Sequence, residues 1–189
     1  MKKDYQKFFF LYTIAIFALG MINITFALMG FACYIGPIIL FLKHKDKTWC
    51  QHYCPRALFL TKVLSKISFH LKVPQGFTSN NIKEFFVTYM SLNLFLASMS
   101  TLMVYLGRIQ PMPYVRLFMV FKAPYPLPQL FTWNLPDYLI HASYRVYSMM
   151  FSSVLIGLAL GILFAPRTWC VICPVNTLSV PKHLKREKG

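Results

Sequence analysis

The stretch 85-FFVTYMSLNLFLASMSTLMVYL-106 carries no charged side chain, while Lys83 and Glu84 precede it and Arg108 follows. Coiled as a helix at about 1.5 Å per residue, 22 uncharged residues reach across a hydrocarbon core of about 30 Å. Residues 138–165 repeat the pattern, with a single arginine near the start, and residues 8–42 have no formally charged residue at all. The last run is too long for one untilted span and suits a tight hairpin, with both basic flanks on one side. The alternative is a single tilted span, which would leave Lys2, Lys3 and Lys7 on the far side, against the positive-inside rule. The first helix of the hairpin would cover about Phe8 to Met21, with a turn near Asn23 and a return from Ile24 to Leu42 that Gly36-Pro37 kinks. The expected fold is therefore an all-α integral membrane protein of about four transmembrane helices. The amino terminus, Met1 to Lys7 before an apolar run, reads as the flank of an uncleaved first span, because no small-x-small cleavage site follows it.

Composition agrees with this. Of 189 residues, 57% are hydrophobic and 13% charged, with a mean hydropathy of +0.50, where a soluble domain is about a quarter charged. Twenty Lys and Arg face five Asp and Glu. In a soluble chain that excess would suggest nucleic acid, but here the basic residues flank apolar runs, as the positive-inside rule requires. No nucleic-acid partner is expected; membrane lipid is. The five acids are scattered, and no glycine-rich phosphate loop or nucleophile elbow is present, which excludes hydrolases and nucleotide-driven pumps.

Residues 43–83 hold eight Lys or Arg, and within them Ala57, Leu60, Leu64, Ile67 and Leu71 recur at three-and-four spacing. This predicts an interfacial amphipathic helix on the cytoplasmic headgroups. Residues 107–136 contain six prolines interleaved with Tyr114, Phe118, Phe121, Tyr125, Phe131 and Trp133, a composition that excludes a long helix and reads as a braced cap at the outer interface. Gly157 and Gly161 in the last span let another helix approach closely. The tail, 167–189, has five basic residues against one acid and is expected on the same side as residues 43–83.

Thr48-Trp49-Cys50-Gln51-His52-Tyr53-Cys54-Pro55 is echoed by Thr168-Trp169-Cys170-Val171-Ile172-Cys173-Pro174, each with a leucine four residues beyond the proline or nearly so, at Leu58 and Leu178. This is an internal repeat. Two cysteines three or four apart project towards one point and supply half a tetrahedron. Four thiolates from both pairs would complete a site for a [4Fe-4S] cluster or a structural zinc. Cys-Pro closes the cluster-binding run of bacterial ferredoxins, and proline suits a first helical position, so a helix is expected to begin after each second cysteine. Lys43, Lys45, Lys47, Arg56 and Arg167 would favour a negatively charged cluster and equally serve as membrane anchors.

Arg167-Thr168-Trp169-Cys170-Val171-Ile172-Cys173-Pro174-Val175-Asn176 resembles the second signature of the NapH/NosR-type 4Fe-4S membrane proteins, and Trp49-Cys50 to Cys54-Pro55-Arg56-Ala57-Leu58 resembles the first. The second pair here has two intervening residues where the family has three. The resemblance implies a minimal form without the C-terminal ferredoxin extension, in a bacterial cytoplasmic membrane, with both motifs facing the cytoplasm. It implies a [4Fe-4S] cluster on Cys50, Cys54, Cys170 and Cys173. It also implies electron relay between menaquinol or another quinol and a redox partner, a flavoprotein or ferredoxin-like protein, as a carrier or accessory subunit of an oxidoreductase.

Two other readings of the cysteines stand beside it. A quinone-coupled thiol-disulfide oxidoreductase has the same span and cysteine count, but works facing an oxidising compartment. A structural zinc or metal-handling protein would use the same four thiolates without redox change. Trp49 and Trp169 would shield a cluster, or sit in an interfacial belt. His52 is left out of the ligand set, Cys33 is read as a small buried hydrophobe, and His141 and Arg145 as headgroup anchors that could instead touch a quinol or phosphate.

Overall fold

In a computed structural model, residues 9–44, 49–65, 67–69, 71–118, 120–122, 127–131 and 133–178 are described. The basic tail beyond Leu178, the amino-terminal lysines, and Lys45, Lys47 and Thr48 of the first motif lie outside them. The chain is mostly helical, in the order α1 (Phe9–Ile22), α2 (Ala32–His44), α3 (Pro55–Leu64), α4 (Asn80–Tyr105), α5 (Asp137–Leu163), α6 (Thr168–Ile172) and α7 (Pro174–Leu178). Three segments are long and apolar enough to cross a membrane: Ile24–Lys43, Asn80–Tyr105 and Asp137–Leu163. The fourth, α1, has 14 residues, about 21 Å of helix and short of the hydrocarbon thickness.

The chain divides into two compact units, one built from residues 1–13, 32–90 and 156–189, the other from residues 14–31 and 91–155. In the second unit, α1 stops at Ile22, and after Asn23 the chain continues as a 3₁₀ helix over Ile24–Phe31. A turn inside an apolar chain must satisfy its backbone internally. Asn23 does so by donating through Nδ2 to Phe131 O at 3.1 Å and accepting Thr25 N–H at 2.9 Å. Gln129 Oε1 accepts Ile24 N–H at 2.7 Å and its Nε2 donates to Gly20 O at 3.2 Å. Gln129→Ala strands the Ile24 amide, so we expect a loss of about 1–3 kcal/mol, read as a lower midpoint of thermal unfolding in detergent, with Gln129→Glu recovering part of it.

The proline-rich segment does not merely cap helix ends. A two-residue hairpin pairs Arg116 with Lys122 and Leu117 with Phe121, and the chain leading into it lies along α5. Met112 N–H donates to His141 Nδ1, Arg116 N–H to Ser148 Oγ and Phe118 N–H to Ser152 Oγ, at 3.2, 3.0 and 2.8 Å. His141, Arg145, Ser148 and Ser152 therefore form one buried polar stripe at helical spacing. His141, Ser148 and Ser152 of this stripe give acceptors to the backbone N–H groups on the side of the segment turned towards α5.

In the first unit, α3 is shorter than the sequence predicts. Ala57, Leu60 and Leu64 do share its buried face, but Leu60 and Leu64 pack on Trp169 and Ile172 in a protein core. The chain then leaves the helix because α5 needs it: Phe69 N–H, Leu71 N–H and Ser68 Oγ donate to the carbonyls of Ile162, Leu163 and Phe164. These are acceptors that the end of a helix leaves open. Ile67 and Leu71 consequently fall outside α3 and are exposed. The partner that Gly157 and Gly161 admit is α3: a methyl on Gly157 would lie 2.8 Å from Leu60 Cδ1, and one on Gly161 would collide with Leu64 Cδ1.

Candidate functional site

The two cysteine motifs fold alike despite their unequal spacing. In the second, Thr168–Ile172 makes one turn of α6, Cys173 follows, and Pro174 opens α7. In the first, Trp49–Tyr53 is a π-helical turn, closed by Cys54 N–H donating to Trp49 O at 2.9 Å, and Pro55 opens α3 with Cys54 at its N-cap. A π turn accommodates one more residue than an α turn. The additional residue of Cys-x-x-x-Cys is absorbed there. Both helices start with proline at the position where the missing N–H is harmless.

Cys50, Cys54, Cys170 and Cys173 line one cavity of about 50 Å³. That is several times the ~10–15 Å³ that a water needs. All five cysteines are free thiols, and among the described residues no three His, Cys, Asp or Glu are grouped closely enough for one metal ion. Cys33 lines the same cavity, with Tyr34 beside it on α2. The sequence treats Cys33 as a packing residue because it stands alone within an apolar run; only the turn of Trp49–Tyr53 against α2 brings the motif to it. His52, whose side chain lies outside the described set, has no assigned place.

Both tryptophans of the repeat belong to the cavity wall. Trp169 is 2% exposed and meets Phe86 edge-on at 5.5 Å, so it is a core residue and not a belt tryptophan. Trp49 lies over Gly36, where an added methyl would come within 2.7 Å of its ring. Gly36 is thus the seat of a cavity residue as well as part of the Gly-Pro pair.

Electrostatics single out Arg56. It lines the cavity, and its guanidinium donates to the Tyr34 hydroxyl, yet its Nε–H is buried with no acceptor among the described residues. Trp169 Nε1–H, from another residue of the same wall, is a second buried donor without an acceptor among them. Each such group costs about 1–3 kcal/mol if left unmade. Burial pushes the Cys170 thiol up to about 12 and raises that of Cys173, the nearby cation Arg56 opposing the rise in both. Cys173 also accepts the backbone N–H groups of Val175 and Asn176 at the start of α7. Asn176 Nδ2 donates to Cys170 O at 2.8 Å, which ties the two ends of this loop together. The cavity therefore offers soft sulfur ligands, N–H donors and a half-buried cation, a set suited to a negatively charged occupant.

No protein-family model matches the chain, and no curated protein or solved structure is significantly similar to it.

Proposed function

We propose that the chain is a membrane-bound iron-sulfur electron-transfer protein. A [4Fe-4S] cluster on Cys50, Cys54, Cys170 and Cys173 would relay electrons between the quinone pool, or another membrane donor, and a redox partner. The observation that carries this reading is a single cavity bounded by both cysteine pairs, whose wall includes two buried N–H donors without acceptors among the described residues. When bound, a cluster supplies one-electron chemistry at a potential set by burial, nearby charge and hydrogen bonds to sulfur. The residues present fit that role. The thiols ligate; Val175 and Asn176 donate to the Cys173 sulfur; Arg56 and Trp169 hold donors ready for sulfide or thiolate; Trp49 and Trp169 keep water away. A tetrahedral zinc site would use the same four sulfurs at about 2.3 Å from one atom, and the metal content of the purified protein separates the two.

Sidedness follows from charge. The unit holding both cysteine pairs has Lys43, Arg56, Lys62, Lys72, Lys83 and Arg167 against Glu84 among its described residues. This supports a cytoplasmic position for the motifs.

The test is anaerobic purification in detergent with iron, sulfide and zinc measured per chain, and a visible spectrum before and after dithionite. We expect about four iron and four sulfide, with a broad band that bleaches on reduction. Zinc without sulfide would make the site structural. No metal, with a cysteine pair that titrates as a disulfide, would restore the thiol-quinone reading.

A further inference from the structure

Arg145 lies on the membrane-crossing helix α5 and is 4% exposed, beside His141 at 0%. Neither is a surface anchor. A buried guanidinium carries five N–H donors and a full charge, and the partners around Arg145 are poor. Its second terminal nitrogen donates to the Met112 thioether at 2.9 Å and its Nε to His141 Nε2 at 3.3 Å. The Met112 amide donates to the other ring nitrogen of His141. A neutral imidazole has one acceptor nitrogen, so the Arg145 and Met112 donors compete for it, and Ser100 Oγ lies 3.1 Å from the same Nε2. Among the described residues Arg145 is left with a weak sulfur acceptor and no oxygen.

Its charge is equally uncompensated. This unit contains Arg108, Arg116, Lys122 and Arg145, and Asp137 is its one acid. Asp137 is exposed and stands eight residues back along α5, about 12 Å along the axis. Arg116 adds to the positive field, donating to the same Met112 sulfur at 3.6 Å and to the Tyr114 hydroxyl at 2.7 Å, while Lys122 lies over the Tyr114 ring. A buried charge in a membrane helix needs a partner.

A place for that partner exists. Arg145 lines a cavity of about 450 Å³ between α4 and α5, within the size range of ligand sites. Leu94, Leu102, Val146 and Met149 make its apolar walls, and Leu94 and Leu102 are exposed on the outer surface of α4. The hydroxyls of Ser98 and Thr101 donate to carbonyls of their own helix, so Arg145 is the charged donor facing the space.

We propose that this groove binds an anionic membrane lipid, its phosphate oxygens on the Arg145 guanidinium and an acyl chain along the apolar walls. The match of a planar fork to a phosphate is bidentate and charge-assisted. The walls belong to two helices long enough to span a membrane, so the occupant is lipid-soluble. A neutral quinone carbonyl would leave the charge unbalanced.

Delipidated protein is titrated with dioleoyl-phosphatidylglycerol, and one bound lipid per chain is read by native mass spectrometry, a readout independent of the metal content of the cysteines. Wild type is expected to hold one phosphatidylglycerol in preference to phosphatidylcholine; Arg145→Gln should weaken it about 10- to 100-fold, and Arg145→Lys should recover part. Ser98→Trp, at an exposed position on the groove, keeps Arg145 and should also lose the lipid, which covers the case in which Arg145→Gln fails to fold. Equal binding of phosphatidylcholine, full retention in Arg145→Gln or Ser98→Trp, displacement by millimolar inorganic phosphate, or occupation by menaquinone and not by phosphatidylglycerol would each overturn the proposal.

Discussion

Cys50→Ser and Cys170→Ser should each empty the site of iron altogether, and not by half. Each pair of thiolates supplies only two of four ligands, and the pairs come from motifs more than a hundred residues apart that bound one cavity. A shared site fails when either side fails, whereas two independent sites would each lose only their own metal. Iron and sulfide per chain, measured on monodisperse protein, should fall from about four to near zero in both variants. Retention of about half the iron would mean that the motifs act separately. Cys33→Ser decides the ligand set: it lines the same cavity and is expected to keep all the iron, because the repeat already provides four thiolates. If Cys33→Ser also empties the site, the ligands include α2 and the repeat is not the whole donor set.

Much of this architecture is legible in the chain. Uncharged runs marked the long helices because length and polarity alone decide whether a segment suits hydrocarbon. The helix break at Asn23 and the helix starts at Cys-Pro are legible because both follow local backbone rules. What local rules could not give was the partner of a face. The stripe of Ala57, Leu60 and Leu64 looks the same whether it lies on headgroups or on Trp169 and Ile172. Ile67 and Leu71 kept the spacing going on paper, although in the structure their segment closes the end of α5. His141 and Arg145 at a helix start resemble anchors, but Met112 of the extended run and Ser100 of α4 meet them in the interior.

The candidate site is unevenly legible for the same reason. Four cysteines and two tryptophans announce themselves through repetition. Arg56, Cys33 and Gly36 occur in one motif or in none, so no repeat marks them; their part depends on α2 and the π-helical turn meeting. The one-residue difference between the motifs looked like a departure from a pattern and is a difference of helical turn.

The second large effect is expected at Gly161, because packing there holds the two halves of the cysteine site together. Leu64 of α3 sits where a side chain on Gly161 would be, and Leu60 does the same at Gly157. Both leucines are 1% exposed or less and join Trp169 and Ile172 in one core. Gly161→Ala therefore forces a methyl into Leu64 and should cost about 1–3 kcal/mol, and Leu64→Ala should cost about 2–5 kcal/mol through the cavity it leaves. If the two sites meet as described, the double variant is less destabilised than the sum, since the methyl occupies space that Leu64 vacates. The larger Gly161→Leu substitution should push α3 off α5 and separate Cys54, at the head of α3, from Cys170 and Cys173. Thermal unfolding in detergent measures the coupling, and iron per chain measures the consequence. Additive costs, or Gly161→Leu protein with its iron intact, would mean that α3 does not depend on these glycines for its position at the site.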